Sequence, residues 1–396
     1  MASLVASLVA LEAVGLAPLG RTTWRAAAGA SKCFPSPVFG PGSYPPGSSH
    51  PPPLAVGLSL SSRTETRSMA KGKWVNWVVK GEGPGPRSSI GVSSTGGSDV
   101  FVLGGETEAR VPAGIAQVFR FNVSSLEWSM ISPQEGSPKP SNRNAHAQAA
   151  LGDEIYVFGG RQGVEVGESA LNDLWVWSTK TGAWREVEPQ GDHVPEPRSY
   201  HAMTSAGGRL FLFGGCGQEG RLADFHSFDP LTSRWEQLPS PPGIAGRGGA
   251  TLEAAGDLIC LFSGFEGKES RDYLSYSIAD REWVVHDKPE IVSERSVCAS
   301  FALPSGKVVV FGGEVSPSER GHDGAGGFSK EVFLLDPASG SCERIEVDAA
   351  GGCPEPRGWG SGCRVSGNVG AFFGGLTGSD SDPRRLGDAW GLEISE

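Results

Sequence analysis

Six arginines stand at matched places along the chain: Arg87, Arg143, Arg198, Arg247, Arg295 and Arg357. A guanidinium presents a planar fork of donors that fits carboxylate, sulfate or phosphate oxygens. If the six converge on one opening, they make an anion site. If they repeat for structural reasons, they cap strands or tie neighbouring repeats together. Residues 314–328 carry a second kind of chemistry. Glu314, Glu319, His322 and Asp323 lie there among Gly, Ser and Pro. Carboxylates with an imidazole suit ferrous iron or another divalent ion. The plainer reading is a polar, glycine-rich surface loop with an exposed His322. Seven cysteines are present (Cys33, Cys216, Cys260, Cys298, Cys342, Cys353 and Cys363), odd in number and without a C-x-x-C pair. That usage favours buried free thiols in a reducing compartment over a secreted disulfide framework.

The elements that must position these residues repeat. An apolar strand ending in a glycine pair appears as Val100-Phe101-Val102-Leu103-Gly104-Gly105 and again at 155–160, 210–215 and 308–313. A shorter form lies at 371–375 and a degenerate one at 259–264. The period is about 50 residues, that of kelch repeats. One of the six arginines precedes each copy. A further strand follows, and then a tryptophan: Trp128, Trp184, Trp235 and Trp283. Four strands per unit make one propeller blade. The expected fold is therefore all-β, a six-bladed kelch β-propeller.

Alternation of the chain in each blade places the arginines and the loops after the glycine pairs at one mouth of the central channel. The loop that begins at Glu314 is the long one among them. Residues 74–79 precede the first arginine and have no blade of their own. They are expected to supply the outer strand of the last blade, with Trp77 in the tryptophan place, and so to close the ring.

Composition sets outer bounds. The chain has 396 residues, 38% of them hydrophobic, with 58 Gly and 29 Pro. That is ample for a large core without metal or disulfide staples. The net charge of −11 argues against nucleic acid or an anionic membrane as the main partner. Residues 1–68 differ from the rest. They are rich in Ala, Ser, Pro and Gly, with acids only at Glu12 and Glu65 and bases at Arg21, Arg25, Lys32, Arg63 and Arg67. This composition fits a disordered leader of the plastid or mitochondrial transit type. A secretory signal and a tail without an address are the alternatives. A start at Met69 gives a cytoplasmic protein. The expected domains are thus a leader over 1–68 and a propeller over 69–396.

Several segments resemble plant kelch proteins of the nitrile-specifier group, which includes epithiospecifier and thiocyanate-forming proteins. They are Lys71-Gly72-Lys73-Trp74, residues 81–89, Pro197-Arg198-Ser199-Tyr200-His201, residues 214–217, Gly220-Arg221-Leu222-Ala223-Asp224 and residues 246–249. Gly312-Gly313-Glu314-Val315, Gly321-His322 and Pro356-Arg357-Gly358-Trp359 extend the likeness over nearly the whole propeller. The resemblance implies a lyase that steers a sulfated thiohydroximate, the glucosinolate aglycone, toward a nitrile. In that group Fe(2+) is held by Glu, Asp and His spaced E-x-x-x-D-x-x-x-H. Carried over, the positions are Glu314, Ser318 and His322. The resemblance further implies sulfate contacts at Arg143 and Arg198, with Arg295 further round the ring, and Trp359 as a wall of the pocket.

This chain departs from the pattern in three places. Ser318 replaces the middle metal ligand, Ile90 stands where a His is usual, and Cys342 is expected to replace the tryptophan of the sixth blade. Two functions follow as expectations. One is a specifier-like, iron-dependent lyase acting on a small sulfated anion. The other is a non-catalytic propeller that binds a protein or a small anion. A copper oxidase of the galactose-oxidase type has no matching Tyr and Cys pattern here.

Overall fold

The computed structural model describes residues 69–163 and 169–396. The expected leader over 1–68 lies outside the described residues. The remainder is a six-bladed β-propeller. Its first five blades are four-stranded antiparallel sheets in sequential order. The third blade shows the pattern: Ala202–Ala206 innermost, then Arg209–Cys216, Arg221–Asp229 and Arg234–Leu238. Among the described residues no helix is long and apolar enough to cross a membrane.

Alternation along the second strands decides which blade faces which. A strand places successive side chains on opposite faces. In Leu210-Phe211-Leu212-Phe213, the leucines pack toward the second blade and the phenylalanines toward the fourth. In Val100-Phe101-Val102-Leu103, the valines face the sixth blade while Phe101 and Leu103 face the second. The hydrophobic core is thus divided into six clusters, one at each blade interface. Strands buried on both faces read as continuous apolar runs, which is why they stand out in the sequence.

The ring closes by an N-terminal outer strand as the sequence predicts, but that strand is Lys71–Asn76 rather than residues 74–79. Lys71–Asn76 pairs antiparallel with Ala389–Ser395 and completes the sixth blade. It also runs parallel to Glu346–Asp348 on its other side. The residue in the tryptophan place is Trp74, not Trp77. Trp74 sits opposite Leu392, as Trp128 sits opposite Phe121 and Trp235 opposite Phe228. It packs edge-on against Phe311 of the fifth blade, 4.8 Å away. Trp77, an odd number of positions further on, faces the other way and packs on Phe121 of the first blade at 5.2 Å. Cys342 belongs to the fifth blade, not the sixth: it stands opposite Leu335, in the place that tryptophan takes elsewhere, and packs at the interface of the fourth and fifth blades.

The glycine pairs are needed for close approach between blades. Gly159 has φ 59°, and a Cβ there would stand 2.9 Å from the Arg198 carbonyl oxygen of the next blade. The following N–H, that of Gly160, donates to that same oxygen at 2.9 Å. Glycine alone satisfies both the left-handed turn and the contact.

Candidate functional site at the channel mouth

The six recurrent arginines are blade struts. Arg143, Arg198 and Arg295 have no exposed surface. The Arg143 fork donates to both Asp173 oxygens at 2.6 and 2.8 Å and to the Gly159 carbonyl at 3.1 Å. Arg198 repeats this with Asp224, at 2.7 and 2.8 Å, and Gly214. Arg357 repeats it with Asp388 and Gly374. Arg295 reaches Gly312 at 2.9 Å and Glu331 at 3.1 Å, and lies over the Phe333 ring. Arg247 pairs with Glu266 and Asp272. Each arginine thus joins the start of its own blade to the second and third strands. Burial pushes the Asp224 carboxyl up, but hydrogen bonds from Arg198 and His226 hold it well below the usual carboxylate range. The expected sulfate contacts Arg143, Arg198 and Arg295 do not line the mouth; their forks are filled by the protein's own oxygens.

The residue after each arginine makes a backbone bridge to the residue after its glycine pair: Ser88 to Glu106, Asn144 to Arg161, Ser199 to Cys216, Gly248 to Phe265, Ser296 to Glu314 and Gly358 to Leu376. The next residue turns left-handed. Ser89, Ala145, Tyr200, Gly249, Val297 and Trp359 all have φ between 49° and 64°. Their backbones form a closed belt. Ser89 N–H donates to Trp359, Ala145 to Ser89, Tyr200 to Ala145, Gly249 to Tyr200, Val297 to Gly249 and Trp359 to Val297, at 2.8 to 3.1 Å. A non-glycine residue held at positive φ costs about 1 to 3 kcal/mol and persists only where its surroundings dictate it. The belt supplies that constraint.

Above the belt lies a cavity of about 180 Å3, walled by Tyr200, Phe265, Val297, Pro317 and Trp359 and edged by Glu106, Arg221, Glu314 and Ser318. Glu106 is an acceptor hub. It takes hydrogen bonds from Ser88 Oγ, Asn144 Nδ2, the Arg110 N–H and Arg385 Nη2. The Tyr200 hydroxyl is 2.9 Å from Arg161 Nη2, and that guanidinium lies over the Tyr200 ring. Arg221 differs from the strut arginines. Its guanidinium lies 4.7 Å above the Phe265 ring at the cavity edge. The side chain is exposed, and no described carboxylate forms an ion pair with it.

The loop expected to hold metal is built otherwise. Burial pushes the Glu314 carboxyl up to about 7. It is hydrogen-bonded by the backbone N–H groups of Ser318 and Gly326 and by the Trp359 side chain, and the Asp380 carboxylate adds to the upward shift. The Ser318 hydroxyl donates to Asp380, which comes from the turn after Leu376–Ser379 in the sixth blade. Asp380 also accepts from the Glu319 N–H, at 3.1 Å. His322 falls in the one-turn 3-10 helix Gly321–Asp323, and Asp323 lies 3.6 Å from Arg110. Among the described residues no group of three His, Cys, Asp or Glu side chains is placed to hold a metal. The Ser318 hydroxyl, spent as a donor to Asp380, does not fit the place of a metal ligand.

Comparison with known proteins agrees with this architecture. The chain is 28% identical over 318 residues to an N-(sulfonatooxy)prop-2-enimidothioate sulfolyase of Thlaspi arvense, covering 73% of this chain and 87% of that one. It is 28% identical over 342 residues to Adagio-like protein 3 of Oryza sativa subsp. japonica, covering 80% of this chain and 50% of that protein. It is 24% identical to kelch domain-containing protein 3 of Bos taurus, covering 56% of this chain and 60% of that protein. The chain thus spans most of the first relative but only about half to three-fifths of the other two. The solved structure of YjhT shares the fold, with a TM-score of 0.60 at 17% identity over 78% of this chain and 95% of that one. The KLHDC2/KLHL20/DRC7 Kelch-repeats domain matches residues 63–194 and 96–313. With six blades and this match over most of its length, the chain belongs to that kelch-repeat family.

Proposed function

We propose that the mouth cavity binds a small sulfated anion of the thiohydroximate type and that the protein acts as a specifier-like kelch protein. The observation that carries this reading is Arg221. It is a guanidinium at the edge of a cavity walled by aromatic rings, and no described carboxylate forms an ion pair with it. A sulfate oxygen fits such a fork, and the flat walls suit an unsaturated or apolar substituent. The Thlaspi arvense relative is named for a substrate of this class.

The residues divide the task by their chemistry. Arg221 holds the sulfate and stabilises it as the leaving anion when the N–O bond breaks. The C–S bond breaks with it, its electron pair enters the nitrile and the sulfur departs as S0, so that nitrile, sulfate and sulfur balance the aglycone. Tyr200, Phe265 and Trp359 exclude water and orient the substituent. Glu314, with its carboxyl pushed up to about 7, holds or gives up a proton at the cavity edge near neutral pH.

The test uses the full chain with a glucosinolate and its hydrolase, with and without added ferrous salt, and measures nitrile. The expected result is a nitrile yield above that of the protein-free control. Arg221→Ala should lower that yield about ten- to hundredfold, as loss of a charge-assisted hydrogen bond implies. A yield equal to the control sinks the lyase reading. Retained binding of the sulfated compound without turnover would then support a non-catalytic anion-binding propeller.

A further inference from the structure

Two chambers meet at the belt. The mouth cavity encloses about 180 Å3 and the central channel behind it about 610 Å3. All six belt residues line the channel, and Tyr200, Gly249, Val297 and Trp359 line the mouth cavity as well. Ser89, Ala145 and Gly249 add little bulk, so Tyr200, Val297 and Trp359 fill the opening. Tyr200 comes from the third blade and Trp359 from the sixth, on opposite sides of a six-membered ring. Their ring centroids are nevertheless 5.4 Å apart, edge to face at 80°. The two rings therefore touch across the axis. Tyr200 is held by Arg161 Nη2 at 2.9 Å, and Glu314 lines the mouth cavity together with Trp359.

We propose that the Tyr200–Trp359 pair is the specificity-determining floor of the mouth site, limiting the length of the apolar tail that a sulfated ligand can carry. This rests on the mouth cavity being the anion site. The channel behind the floor has a mixed lining, in which Val92, Ala147 and Ala250 stand among His146, Gln148 and Thr204. An alkyl tail that passed the floor would gain room and would leave water wherever it met the apolar residues of that lining. Each methylene buried there strengthens binding by up to about fourfold. With the floor in place, tail carbons beyond the cavity stay in water and add nothing.

The experiment is calorimetric titration of the full chain with a series of alkyl sulfates from ethyl to octyl. It is repeated on Tyr200→Gly, Trp359→Gly and the double variant. Glycine is the replacement the backbone accepts at these left-handed positions, and Gly249 already holds the same place in the fourth blade. The readout is the slope of affinity against chain length, which does not depend on the absolute affinity for the shortest sulfate. In the native chain the slope should fall to zero at a short tail. In the variants it should continue to longer tails, by up to about fourfold per methylene. An identical length limit in native and variant proteins overturns the floor. A native chain that takes up no alkyl sulfate of any length sinks the mouth-site reading beneath it. The two single variants are independent, so misfolding of one leaves the other to decide.

Discussion

Two arginines of one chemical type do opposite work, and their surroundings decide which. Arg198 is fully buried, with its fork on Asp224 and Gly214. Removing one member of a buried pair leaves a charge without its partner, which typically costs about 3 to 5 kcal/mol. Asp224 retains some exposure, so the lower figure applies. Arg198→Ala should lower the urea unfolding free energy by about 3 kcal/mol and leave the mouth's affinity for sulfate unchanged in the protein that stays folded. Arg221 makes one exposed cation–π contact, worth about 0.5 to 1 kcal/mol. Its loss should spare stability and weaken sulfate binding. If Arg198→Ala weakened binding without affecting stability, the strut assignment would fail.

Glu314 gives the residue scale a pH signature. Its carboxyl is raised from the ordinary 4.5 to about 7, first by burial. Between these values the folded protein binds a proton that the unfolded chain has released. Stability from this group is therefore full below about pH 4.5 and declines as pH rises toward 7. Glu314→Gln removes the titration. The stability of the variant relative to the native protein should rise across pH 4.5 to 7, by up to about 3 kcal/mol. Urea melts at several pH values check this. A difference that does not vary with pH means that Glu314 titrates in the folded protein as it does in the unfolded chain.

At the scale of elements, what could be read from the sequence was what repeats as residue type. Glycine pairs, apolar second strands and blade tryptophans each mark an obligatory contact, so blade number and boundaries followed from them. The parity of the closing strand did not follow. Trp74 and Trp77 are both tryptophans, and only pairing with Ala389–Ser395 shows that Trp74 is the one opposite Leu392. The strut role of the arginines had a signal in the sequence. Asp173, Asp224, Asp272 and Asp388 stand at the head of the third strand in four blades, where a repeated acid one strand after a repeated base points to an internal pair. The belt had no such signal. Ser89, Ala145, Tyr200, Gly249, Val297 and Trp359 share a backbone conformation and no side-chain chemistry. Ser318 was legible as a departure. Its bond to Asp380 was not, because it joins loops of different blades.

At the scale of the whole molecule, one short segment secures the ring at two interfaces. Ala70 and Trp74 belong to the core between the fifth and sixth blades, and Trp77 to the core between the sixth and first. Without Lys71–Asn76, the seven residues of Ala389–Ser395 become an open edge, and Glu346–Asp348 loses its parallel neighbour. A bare edge strand is a template for association with other chains. The backbone belt would then have to hold the sixth blade against the first with two apolar interfaces depleted. Each large aromatic lost from a core costs about 3 to 5 kcal/mol, comparable to much of the net stability of a folded domain. Deleting residues 69–80 should therefore lower the melting temperature sharply and produce oligomers on size-exclusion chromatography. A Trp74→Ala, Trp77→Ala double variant, which keeps the strand's backbone pairing, should lower the melt without the oligomers, because the edge stays covered. An unchanged melt after the deletion would show that the belt closes the propeller without the strand.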